Sequence, residues 1–247
     1  MEALDVTTVK EAVRTLRSNL VEVFHGLVDS VPDSWPATDL YLTVRRRLSA
    51  TPLRFVPSSP GDAPRSGLWL ERKIAFPGQR LVIDAFPGSG NSFASNTVRD
   101  AADLPPAAIT SHFHRRAQIQ RAVALGLPTV VIVRHPHDAC RSLKSKQPEL
   151  STALILGRWI HYHSVVERYR DRVSILLFRD LVSDLETLAR LPPVAGVLQG
   201  RPLRADPRLE RRAPRHVPLD LGKPWNRALL RRAERLYARF DPTADPA

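Results

Sequence analysis

Two short stretches of the 247-residue chain carry side chains whose types and spacing suit the binding of anions. The first is Ala85-Phe86-Pro87-Gly88-Ser89-Gly90-Asn91-Ser92, which follows the apolar run 80–86 (RLVIDAF) and opens a segment of helical character, 92–102. Glycines in that position let backbone N–H groups approach an anion closely, and the helix N-terminus adds its dipole and its unpaired donors. Asn91 stands where a Walker A loop requires a Lys ahead of the hydroxyl residue, so the turn does not have the nucleoside-triphosphate pattern. Taken alone, a Gly-Ser-Gly turn serves equally well as a plain β-turn.

The second stretch, 130–142 (VVIVRHPHDACRS), places Arg134 at the carboxyl end of a β-branched run, Asp138 at a helix start and Ser142 one turn inside that helix. Ligands of open parallel sheets collect at the carboxyl ends of the strands. A strand-end guanidinium fork and a first-turn hydroxyl make an anion pocket distinct from the first. Two pockets of different chemistry point to a ligand phosphorylated at two separate places.

The elements that must hold these residues follow from periodicity. Apolar residues three and four apart predict an amphipathic helix over 7–28, with a shorter one over 39–48, and 56–67 (VPSSPGDAPRSG) reads as a linker. Strands are predicted at 80–86, 107–113, 129–133 and 173–178. Helices are predicted at 92–102, at 114–125 closed by Gly126, at 138–146 capped by Asp138, and at 154–170. Ser183 and Glu186 have capping-box spacing ahead of 185–191, and Trp159, Tyr162, Val166 and Tyr169 share a helix face that predicts core packing. A further helix with Arg231, Arg232, Arg235 and Arg239 on a solvated face closes the chain. Strands alternating with helices argue for a parallel sheet covered on both faces. The expected organisation is an N-terminal helical extension with its linker over 1–65, followed by one α/β domain over 66–247.

Composition narrows the partner. The net charge is +12, and successive blocks of fifty residues carry −1, +2, +4, +1 and, in the last, shorter block, +6. The excess is thus concentrated around the second motif and near the end of the chain, which calls for an anionic ligand. Cys140 is the only cysteine, so an intrachain disulfide and a CxxC zinc site are both excluded. The opening residues mix acids with apolar side chains, unlike a secretory h-region, and the uncharged stretch 122–133 is shorter than the ~20 residues a membrane span needs. A cytoplasmic protein without a membrane span is expected. His135 and His137 have no third ligand nearby, and His161 and His163 point to different faces of a helix, so no metal site is expected.

In order and spacing the two motifs resemble the PAPS-dependent sulfotransferases, where PAPS is 3′-phosphoadenosine 5′-phosphosulfate. The family's 5′-phosphosulfate loop, x-P-x-S-G-[TN]-[TS], is matched by Phe86 to Ser92, and its 3′-phosphate motif, R-x-P-x-D-x-x-x-S, by Arg134, Pro136, Asp138 and Ser142. The likeness covers about residues 80 to 240. It implies an α/β, three-layer P-loop-like fold with a parallel central sheet. Pro87, Gly88, Ser89, Gly90, Asn91 and Ser92 would hold the 5′-phosphosulfate, Phe93 would stack on adenine, and Arg134 and Ser142 would hold the 3′-phosphate. Arg211 and Arg212 would add a basic contact, and His112, at the end of the second strand, would be the general base, with His114 its nearest competitor. Many members carry a Lys at the position of Gly88; Arg115, Arg116 and Lys144 are the cations this sequence offers in its place.

The reading is a sulfotransferase that moves the sulfuryl group of PAPS to a hydroxyl or amine of a small-molecule or glycan acceptor, releasing adenosine 3′,5′-bisphosphate. The alternatives are a family member that binds PAPS without turnover, a P-loop nucleotide kinase or NTPase, and a non-enzymatic binder of polyanions through the Arg-rich C-terminal segment. No nucleic-acid partner is expected on the leading reading.

Overall fold

The computed structural model describes residues 75, 77–111, 114, 116–204 and 217–244, all within the unit Pro57–Ala247. The predicted helices over 7–28 and 39–48 and the linker lie outside these residues.

Four strands build the sheet: β1 (Leu81–Ala85), β2 (Ile109–Thr110), β3 (Thr129–Val133) and β4 (Ser174–Leu177). They pair in the order β2-β1-β3-β4, all parallel, with Ile83 opposite Val130 and Val131 opposite Ile175. β1 and β3 are buried at every position, as strands covered on both faces must be. Their β-branched and aliphatic residues suit that environment.

Among the described residues eight α-helices complete the fold. They are α1 (Asn91–Ala102), α2 (Arg116–Ala124), α3 (Pro136–Lys146), α4 (Thr152–Arg168), α5 (Phe178–Ser183), α6 (Leu185–Ala189), α7 (Pro192–Leu198) and α8 (Pro224–Tyr237). Alternation along the strands divides the core. Leu81, Ile83, Ala85, Val130 and Ile132 face one side, where Ala94 and Val98 of α1, Leu181 of α5, Leu188 of α6 and Val194 of α7 cover them. Val82 faces the other side and packs with Ala122 of α2. Helices on both faces of one sheet make the three-layer α/β architecture.

Local chemistry sets the boundaries. Gly126 closes α2 as expected: its N–H bonds to the Val123 carbonyl (3.2 Å) and the Leu127 N–H to the Ala122 carbonyl (2.9 Å), the paired bonds of a Schellman ending. α3 starts two residues before the predicted Asp138 cap, because Pro136 occupies its first position, where a missing N–H costs nothing; Asp138 sits in the first turn instead. α4 begins at Thr152 rather than 154, with the Ser151 hydroxyl accepting from the Leu154 N–H at 3.2 Å. The predicted capping box at Ser183 is replaced by Asp184, whose carboxylate accepts from the Glu186 N–H at 3.0 Å, while the Ser183 hydroxyl donates back to the Asp180 carbonyl. The second strand is only two residues long, preceded by a 3-10 turn over Pro106–Ala108. Trp159, Tyr162 and Val166 are buried on α4, as their spacing predicts.

Candidate anion-binding site

The sheet order puts the site between β1 and β3. From β1 the chain crosses to β2 on one side and then returns past β1 to β3 on the other, so the connections diverge at the carboxyl ends of β1 and β3. Such a divergence leaves a crevice.

On the β1 side, the Ser89 N–H bonds to the Phe86 carbonyl (3.2 Å), and Gly88 and Gly90 adopt φ of +83° and +86°. A side chain in that left-handed region is strained. At Gly90 it would also strike the Phe178 ring, 2.9 Å from the position a Cβ would take. The turn delivers the chain into α1 at Asn91, and no side chain caps the helix. The first-turn N–H groups of a helix have no partner within it, so this end attracts anions. Ser89 and Asn91 are buried, yet Ser89 Oγ and Asn91 Nδ2 have no hydrogen-bond partner. Buried polar atoms are nearly always satisfied; a cluster of exceptions at an uncapped helix end fits a bound oxyanion.

On the β3 side, Arg134 follows the last strand residue and turns across the crevice. Its Nη1 donates to the Gly88 carbonyl at 2.6 Å, its guanidinium lies 4.4 Å from the centre of the Phe178 ring, and its buried Nε has no partner. Burial holds the Arg134 pKa below its usual value and Asp138 pulls it back up; a guanidinium in this setting stays charged. Ser142, one turn into α3, is buried against the same loop, and a Cβ at position 88 would lie 2.5 Å from its Oγ. The two motifs, 46 residues apart between Gly88 and Arg134, therefore touch.

Phe178 holds this arrangement from the far side. It opens α5 immediately after β4, and its successor Arg179 grips the buried Asp241 carboxylate with Nη1 to Oδ2 at 2.6 Å and Nη2 to Oδ1 at 2.8 Å. That fork ties the chain end to the platform beneath Arg134.

Below the loop lies a group of buried titratable side chains. Asp84, in β1, is fully buried; its Oδ1 accepts from the His114 N–H at 3.3 Å, and its Oδ2 has no hydrogen-bond partner. Burial pushes the Asp84 carboxyl up to about 7, against the Ala85 and His114 backbone and the nearby Tyr162 hydroxyl, which pull it down. That hydroxyl neighbours Asp84 without hydrogen-bond geometry, and burial and the carboxylate together hold it well above its usual range. His163 stacks on Trp159 with ring centres 3.8 Å apart, and burial lowers its pKa to about 3 despite the bond of its Nδ1 to the Trp159 carbonyl.

Of the residues singled out in the sequence, the structure brings together Gly88, Ser89, Gly90, Asn91, Arg134 and Ser142, with Pro87 and Ser92 half-buried in the same turn. Phe93 is half-buried against the core cluster that includes the α1 residues Ala94 and Val98. His112, Arg115, Arg211 and Arg212 lie outside the described residues. Lys144 points elsewhere: its Nζ donates to the Pro148 and Leu150 carbonyls, each at 2.6 Å, fastening the turn after α3. Two contributors escaped the sequence reading. Phe178 carries no local signal, because its role is set by tertiary contact. Asp84 did carry one, as a lone acid inside an apolar run that a parallel sheet must bury.

No family model and no curated protein matches the chain.

Proposed function

We propose that the protein is a sulfotransferase that moves the sulfuryl group of PAPS to a hydroxyl or amine of a small-molecule or glycan acceptor. The observation that carries this reading is the joining of two different anion-directed clusters at one crevice, with Arg134 bonded to the carbonyl of Gly88. The donor set suits a nucleotide with phosphate at both ends. Ser89 Oγ, Asn91 Nδ2 and the open amides of α1 would hold its 5′ end, and Arg134 with the Ser142 hydroxyl would hold its 3′-phosphate.

When bound, PAPS supplies an activated sulfuryl group with a phosphate as leaving group. The chain would then orient the two reactants and place positive charge where negative charge grows. Ser142 occupies the space that a Cβ at position 88 would need, so a loop lysine is not accommodated there without displacement. Arg134 is the cation that contacts the loop carbonyl at that position, and it would stabilise charge from the β3 side.

Isothermal titration with adenosine 3′,5′-bisphosphate tests this reading. The wild-type chain should bind it without magnesium, and Arg134→Ala should bind at least about 30-fold more weakly, the loss of roughly 2 kcal/mol of charge-assisted hydrogen bonding. Equal affinity of the two proteins, or a preference for ATP with Mg²⁺, would refute it.

A further inference from the structure

A fully buried carboxylate in a central strand is expensive, and an aliphatic residue like its face-mate Val82 would pack at position 84 without that cost. What Asp84 touches suggests why it is there. Its Oδ1 accepts the backbone N–H of His114, a non-glycine residue held at φ +53°, in the left-handed region. The His114 ring is then seated on the end of β1, with Nδ1 2.7 Å from the Ala85 carbonyl oxygen and 3.9 Å from Asp84 Oδ1. A carbonyl oxygen only accepts, so Nδ1 carries the hydrogen and, in the neutral ring, Nε2 carries the lone pair. The ring is partly exposed, and Ala85 is the last residue of β1 before the anion-binding turn.

We propose that Asp84 is a positioning residue: by receiving the His114 amide it fixes that residue's strained backbone and seats its ring on the Ala85 carbonyl, presenting Nε2 as a proton acceptor beside the crevice. This rests on the transferase reading above. There, Nε2 takes the proton that the acceptor hydroxyl sheds as its oxygen bonds to sulfur, while the electron pair of the broken S–O bond stays on the departing phosphate oxygen. The imidazolium so formed keeps its Nδ1–H on Ala85 and gains a carboxylate 3.9 Å away. Of the groups that face Asp84, His114 follows β2 and Tyr162 comes from α4; only His114 is bonded to it by hydrogen-bond geometry.

The test is nitrogen-detected NMR of the full chain labelled with ¹⁵N-histidine, with the His114 signals identified by their loss in His114→Gln. In the wild type the neutral ring should be the Nδ1–H tautomer. In Asp84→Val, which fills the site with an aliphatic group, the tautomer ratio should move about tenfold toward Nε2–H, the size expected from losing one hydrogen bond, and thermal stability should be equal or higher. Asp84→Ser, too short to reach the amide, should do the same and serves if the valine variant does not fold. Asp84→Asn, whose side-chain oxygen still accepts that N–H, should restore the wild-type ratio. A wild-type Nε2–H tautomer, or an unchanged ratio in both Asp84→Val and Asp84→Ser, would overturn the proposal. Titration of adenosine 3′,5′-bisphosphate on the same samples separates the two readings. Unchanged affinity in Asp84→Val supports both, whereas absence of binding to the wild type sinks the transferase reading and leaves the tautomer result to decide the role of Asp84.

Discussion

Gly88 and Ser142 occupy each other's space: a Cβ at position 88 would come within 2.5 Å of the serine Oγ and 2.8 Å of its Cβ. Loop and helix α3 are therefore packed to contact at the point where the two anion clusters meet, and the glycine is required twice, for its lack of a side chain and for its φ of +83°.

Gly88→Ala should accordingly destabilise the chain by about 2–3 kcal/mol, part from the left-handed backbone and part from the clash. Ser142→Gly should recover the steric share, so that Gly88→Ala with Ser142→Gly is more stable than Gly88→Ala alone by about 1 kcal/mol. Urea unfolding of the four proteins of this cycle measures the coupling. Strictly additive values would show that the loop shifts away from α3 at no cost.

Ser89 separates binding from stability. Its Oγ is buried and has no partner, so the hydroxyl adds nothing to the fold that a methyl group would not. Ser89→Ala is expected to keep or slightly raise the melting temperature while weakening adenosine 3′,5′-bisphosphate by about tenfold, one lost hydrogen bond to a charged group. A drop in melting temperature with unchanged affinity would instead make Ser89 a packing residue.

Asp84 and His163 predict opposite dependences of stability on pH. The Asp84 carboxyl is raised from 3.8 to about 7 on folding, so the folded chain keeps a proton that the unfolded chain has lost, and this contribution disappears as pH rises through 7. His163 is lowered from 6.5 to about 3, so its contribution is complete above 6.5 and is lost as pH falls toward 3. Between about pH 4 and 6.5 each state carries one proton on this pair, and the two slopes cancel. Asp84→Asn should leave the histidine slope alone, with stability falling by roughly 1.4 kcal/mol per unit of acidification, and His163→Phe should give a slope of similar size and opposite sign. Denaturant titrations at pH 4.5, 5.5 and 6.5 read these differences. Three parallel profiles would rule the coupling out.

The parts of the site that depend on short-range chemistry were legible in the sequence. The turn 87–92 and the pair Arg134 and Ser142 announce themselves, because a strand end, a glycine pair and a helix start are local events. Gly126 stops α2 for the same reason. Boundaries were missed where two local signals compete: Pro136 outbids Asp138 for the start of α3, and Asp184 displaces Ser183 as the cap of α6. The apolar pattern at 173–178 hides a change of state, since Phe178 leaves the strand to open α5 while remaining hydrophobic. Contact across the fold was beyond sequence pattern altogether. Nothing near Phe178 foretells Arg134 above its ring, and nothing near His114 foretells a carboxylate thirty positions upstream accepting its amide.

The order of the strands has one more consequence. β1 stands between β3, which brings Arg134 and α3 to the glycine turn, and β2, which leads to His114. The grip on the nucleotide and the seat of the proton acceptor are thereby built by different chain segments on opposite flanks of one shared strand. Evolution can redraw the segment after β2, exchanging one reacting partner for another, without renegotiating the address at which the nucleotide is held.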